Sequence, residues 1–146
     1  MSNKLIKEKK ELLVNAGYSN EAIEYFINEV NVGIIENADV SIAYTGSCGY
    51  TCKVYLIINN QGRIEDAKIL YLGCPACAIC GSIVTQMAKG KTLQKAENIT
   101  QEEVIEEIRG LPNNECHCAK LAITTLKKAI KKFQNINLPR GDIYEV

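Results

Sequence analysis

The spacing of apolar residues changes period twice along the chain. Residues 4–16, KLIKEKKELLVNA, set Leu5, Ile6, Leu12 and Leu13 among charges and stop at Gly17, which predicts a short amphipathic helix. Ser19 then caps a second helix with Glu21 near its start. Ala22, Ile23, Phe26, Ile27 and Val30 form its apolar stripe, and it ends near Gly33. From Ala38 the period falls to about two. Residues 38–46, 52–60 and 63–73 predict three strands, with a turn at Asn60-Gln61-Gly62 between the last two. An antiparallel meander follows.

From Cys74 the helical period returns. Cys74 suits the N-cap and Pro75 the first helical position, where its missing N–H costs nothing. Ile79, Ile83, Val84 and Met87 mark the apolar side, and Gly90 ends the helix. Thr92 and Thr100 each open a further short helix, the second with Glu103 placed for a capping box. Leu111-Pro112 breaks it. A last helix spans about Cys116 to Phe133, with Leu121, Leu126, Ala129 and Ile130 inward. Lys127, Lys128, Lys131 and Lys132 face outward near its C-terminus, where the helix dipole favours cations. The tail, 134–146, reads as irregular. The fold class is α/β of the α+β kind: a small three-stranded antiparallel sheet with helices packed on it.

Composition narrows the function. The 146 residues fit one domain, residues 1–146, and 47% hydrophobic with 23% charged residues is an ordinary globular balance. Lys+Arg and Asp+Glu are both 17, so the net charge is zero, which argues against a general nucleic-acid binder. No apolar run approaches a membrane span, and the charged start MSNKLIKEKKELL lacks the apolar core of a signal peptide. A cytoplasmic location is expected.

Seven cysteines change the picture more than the charge does. In a reducing compartment they point to metal or redox chemistry, and an odd count forbids complete pairing. Cys48 and Cys52, then Cys74, Cys77 and Cys80, then Cys116 and Cys118 form three clusters. Cys48 lies in a loop near Gly46 and Gly49, Cys74 opens one helix, and Cys118 sits in the first turn of another beside His117, the single histidine. Helix N-termini favour thiolate and an anionic ligand, and thiolates bind iron–sulfur clusters and zinc. The periodicity alone leaves two readings. Cys52 alternates with Val54, Leu56 and Ile58 and belongs with the core; Cys77 and Cys80 share a stripe with Val84 and Met87, yet with Cys74 they also form a C-x2-C-x2-C ligand ladder. Cys116 flanks the same region. Tyr44, Tyr50, Tyr55 and Tyr71 lie in or beside the strands and read as packing residues, with Tyr50 as the candidate exception.

The order of GSCG, of LGC opening a helix, and of HC opening the last helix resembles the IscU/NifU-type iron–sulfur cluster scaffold family. YFINEVNVG (25–33), GRIEDAKILYLGC and SIVTQMAKGKTLQKA extend the likeness over about residues 25–133, leaving 1–24 as an N-terminal helical extension. The resemblance implies that Cys48, Cys74 and Cys118 bind the cluster and that His117 also contacts metal. It implies a scaffold or carrier, not a turnover enzyme, that builds a [2Fe-2S] or [4Fe-4S] cluster and passes it to apo iron–sulfur proteins. A cysteine desulfurase supplies the sulfur, with Cys118 as persulfide acceptor; a homo-oligomer is compatible with this role. Cys77, Cys116 and Cys80 stand as extra ligand candidates, Cys77 ahead of Cys80 because three residues keep it on the Cys74 face. Two departures stand out. Tyr50 occupies the place of the family's metal-binding aspartate, which favours retention of a soft metal or cluster, and Glu115 stands where chaperone-dependent members often carry lysine. The alternative is a stable zinc- or cluster-binding protein without transfer, since three cysteines and His117 suit zinc.

Overall fold

The computed structural model describes residues 2–109, 111–112 and 117–136. Helices α1 (Asn3–Asn15) and α2 (Asn20–Ile27) precede strands β1 (Val40–Thr45), β2 (Thr51–Ile58) and β3 (Ile64–Leu72). Helices α3 (Pro75–Ala88), α4 (Leu93–Glu97), α5 (Gln101–Ile108) and α6 (His117–Ile136) follow. The sheet is the expected meander, ordered β1-β2-β3 with both pairs antiparallel. Its register places Tyr44, Cys52 and Tyr71 side by side. Directly opposed residues share a sheet face, so Cys52 lies inward with Val54 and Leu56, each at most 2% exposed.

Helix α3 is the centre of the packing. It lies on β3 and against α6, and α6 crosses β1 and β2. Every residue from Ala76 to Thr85 is buried, more than the one stripe expected from the pattern. A helix apolar all round is one enclosed on all sides. Ile79 and Ile83 on α3, Ile69 on β3 and Leu126 and Ile130 on α6 are almost wholly buried. Each contributes roughly 1.5–3 kcal/mol by leaving water. Gly81 permits the closest α3–β3 approach, because a Cβ there would lie 2.8 Å from Ile69 Cδ1.

Three sequence expectations need correction. Helix α2 ends at Ile27, short of Gly33, because Glu29 and Asn31 turn left-handed at φ 47 and 59. The chain then pairs with β3: Gly33 N donates to Ile69 O at 2.9 Å and Ile69 N to Asn31 O at 2.8 Å. Along α1 only Leu13 is buried; Leu5 and Leu12 stay exposed, because this helix packs chiefly on the short helix α2, which does not reach them all. At the other end, α6 continues through Ile136, so its lysines lie before the last turn. Residues 137–146 of the expected irregular tail lie outside the described residues.

The capping box at α5 is present. Thr100 Oγ1 accepts from Glu103 N at 3.2 Å, and Thr100 N donates to Glu103 Oε1 at 3.1 Å. The Thr100→Ala chain should lose about 1 kcal/mol. A urea midpoint lowered at constant slope reports that loss, and an unchanged midpoint contradicts it.

Candidate metal centre

Three backbone devices meet at the N-terminal end of α3. The β1–β2 loop closes on itself, with Gly46 N donating to Tyr50 O at 2.9 Å and Gly49 N to Gly46 O at 3.0 Å. Cys74 is the N-cap of α3 in extended conformation, with Pro75 following, and Cys77 N donates to Cys74 O at 3.0 Å. Helix α6 begins at His117 and brings Cys118 inward. Two helix N-termini therefore supply Cys74, Cys77 and Cys118 to the same site, and each offers partial positive charge to an anionic ligand.

The structure gathers Cys74, Cys77 and Cys118. Their sulfurs lie within 4.8 Å of one another, and Cys77 Sγ is 3.5 Å from Cys118 Sγ. Thiolates bound at ~2.3 Å around one tetrahedral ion sit roughly 3.8 Å apart, so small side-chain rotations suffice to close the trio on a metal. Cys118 is 1% exposed and Cys77 3%, while Cys74 is half-buried and forms the rim. Hydrogen bonding with Cys77, and then burial, push the Cys118 thiol up from its ordinary value. Without metal it holds its proton, and a thiophilic ion must displace that proton on binding.

Cys48 is placed differently. It is exposed on the β1–β2 loop, outside the trio, and its sulfur leans over Gly46. With His117, Lys120 and Thr124 it lines an adjoining cavity of about 410 Å³. Tyr50 stands between the two sites. Its ring centroid is 5.7 Å from that of His117, and its Cγ and Cys77 Sγ fill the space a side chain at Gly73 would need. Cys80 is fully buried a turn beyond Cys77 and lies outside the trio. Cys116 and Glu115 lie outside the described residues. Sequence reasoning passed over Lys120 and Thr124, although their i+3 and i+7 spacing from His117 puts them on one helical face.

Cys52, read from the strand pattern as core, has its thiol pushed up to about 12 by burial and then by Cys77, with a Thr125 hydrogen bond opposing. A raised acid favours the protonated fold. Its contribution is complete below the ordinary 9.0 and is lost as pH rises through about 12. Between those values the metal-free chain should lose stability more steeply than its Cys52→Ala variant, by up to about 1.4 kcal/mol per pH unit. Denaturant midpoints taken across that range check this, and parallel slopes refute it.

A small meander with a central buried helix and thiols gathered at two helix N-termini defines a thiolate metal-binding α/β protein. The NifU-like N-terminal domain model matches residues 17–139, and the chain belongs to that family. Iron-sulfur cluster assembly scaffold protein IscU 1 of Archaeoglobus fulgidus is 40% identical over 114 residues, which cover 77% of this chain and 74% of that protein. The protein of the same name, IscU, from Escherichia coli K12 is 33% identical over 122 residues, 81% of this chain and 94% of that one. Among solved structures, the N-terminal part of a nitrogen-fixing NifU-like protein from Brucella abortus superposes with a TM-score of 0.64 at 15% identity, covering 84% of this chain and 97% of that chain. Among the described residues no helix is long and apolar enough to cross a membrane.

Proposed function

We propose that the chain is an iron–sulfur cluster assembly scaffold that binds iron and sulfide through thiolates and passes the cluster to apo-proteins. The observation that carries this reading is the trio Cys74, Cys77 and Cys118, within 4.8 Å. The family relationship supports it. In this reading the trio holds the inner iron, and Cys48 or His117 closes the set from the adjoining cavity. Four such groups serve a [2Fe-2S] or a [4Fe-4S] cluster equally well. Cys80 is core.

A cysteine desulfurase is the proposed sulfur source. Cys118, the acceptor suggested by resemblance, is 1% exposed, so sulfur uptake is better placed on the accessible thiols Cys48 and Cys74. Tyr50 offers no carboxylate, and its ring lies beside His117 next to Gly73, where Cys77 also approaches; both features favour slow release. A resident zinc bound by the trio and His117 is the second reading, favoured by the sulfur spacing.

Purification without oxygen, with iron, zinc and acid-labile sulfide analysis, separates the two. Matched iron and sulfide that move to an added apo-ferredoxin are expected. Iron and sulfide that stay bound would mean a resident cluster. Zinc without sulfide, unchanged after iron–sulfide reconstitution, would sink the cluster reading.

A further inference from the structure

The extra cysteine turns the start of α3 into Cys74-Pro75-Ala76-Cys77, a C-x-x-C pair at a helix N-terminus. The rim thiol is half-buried and its partner 3% exposed, and both sulfurs belong to the 4.8 Å cluster. An accessible first cysteine and a shielded second one is the arrangement of a dithiol that exchanges with sulfur compounds. We infer that Cys74 and Cys77 form a redox dithiol that reduces incoming sulfane sulfur to sulfide inside the site. The inference rests on the scaffold reading in one respect: sulfur must arrive at the zero-valent level.

The step balances within the chain. Cys74 carries the sulfane sulfur as Cys74–S–S⁻. Cys77 Sγ attacks Cys74 Sγ, and the bond from Cys74 Sγ to the terminal sulfur breaks. The terminal sulfur leaves with the electron pair and takes the Cys77 proton, as HS⁻. It has gained two electrons, and the two thiols have become one disulfide. An external dithiol protein or low-molecular thiol then returns two electrons and two protons. The pair must close to the ~2.05 Å of a disulfide, a side-chain rotation within one helical turn. Sulfide is thereby made beside Cys118, 3.5 Å from Cys77, before iron claims the thiols.

The test uses the full chain, metal-free and fully reduced, without oxygen or added thiol. Inorganic tetrasulfide is the probe, and intact mass with peptide mapping is the readout. In the unaltered chain the peptide that holds both cysteines is expected to finish about two mass units lighter, with Cys74 joined to Cys77, whatever sulfur the exposed Cys48 takes up. The Cys77→Ser chain is expected to stop about 32 mass units heavier, with the sulfur on Cys74. The Cys80→Ser chain should behave as the unaltered one. A persistent sulfur adduct on Cys74 of the unaltered chain, no reaction at Cys74 and Cys77, or a disulfide mapped to Cys77 and Cys118 overturns the inference. Cluster formation from iron and inorganic sulfide bypasses this step. A chain that passes the cluster test yet keeps the adduct therefore loses only this inference, not the scaffold reading.

Discussion

The Cys118→Ser chain is expected to bind iron and acid-labile sulfide at least about tenfold more weakly than the unaltered chain after anaerobic reconstitution. Cys118 is the link between the two helix starts. It sits in the first turn of α6, and its sulfur touches Cys77 across the interface with α3 at 3.5 Å. Serine nearly preserves volume, so the helix packing survives. Its hydroxyl is a harder donor that holds its proton near neutral pH, so a soft-metal site loses one of three inner ligands. The control is Cys80→Ser. Cys80 is fully buried and outside the trio, so iron loading and spectrum should stay the same. That change instead buries a hydroxyl in an apolar setting and should cost about 1–3 kcal/mol of stability. Iron and sulfide titrations with parallel denaturation decide the matter. Equal, undiminished loading in both variants would show that the trio is core and not a metal centre.

A second large effect is expected at Gly73, which no charge or thiol marks. A Cβ at this position would lie 2.8 Å from Cys77 Sγ and 2.9 Å from Tyr50 Cγ. Both distances are shorter than real contacts allow, and the residue also holds φ 158. The Gly73→Ala chain must push either the Tyr50 ring off His117 or the Cys77 sulfur out of the trio. Overpacking of this kind costs roughly 1–3 kcal/mol. The distinctive consequence is a coupled one: stability and iron loading should fall together, and cluster release should quicken if the ring is what moves. Denaturant midpoints and the rate of transfer to apo-ferredoxin measure the two. A variant with normal loading and normal release would show that Tyr50 and Cys77 do not depend on this glycine.

Much of the outline was legible because it depends on local chemistry. The strand periods, the Thr100 capping box and the Cys74-Pro75 helix start are short-range signals, and each is present in the structure. The inward side of β2 was readable too, since strict alternation assigns Cys52, Val54 and Leu56 to one face. The α2 boundary differs from the expected one because the left-handed turn at Asn31 is held by distant partners. Asn31 accepts from Lys89 Nζ at 2.5 Å and donates to Thr85 Oγ1 at 3.2 Å. No local pattern announces a hydrogen bond across more than fifty residues. The amphipathic pattern of α1 likewise does not tell which of its apolar residues find cover, and Leu5 and Leu12 do not.

The candidate site divides along the same line. Its cysteines and histidine are visible one by one in the sequence, and helix geometry already ranked Cys77 ahead of Cys80. Which thiols meet is a question of how α3 crosses α6. That crossing is set by buried side chains such as Ile83, Leu126 and Ile130 and by the small residues between them. It brings Cys77 to Cys118 and leaves Cys48 on the exposed loop with Lys120. The sequence by itself therefore determined the elements, their order and the chemistry available, because propensity, capping and alternation act over a few residues. Only the tertiary structure decided which three sulfurs gather and that Tyr50 lies beside His117, because those contacts are made by packing between elements far apart in the chain.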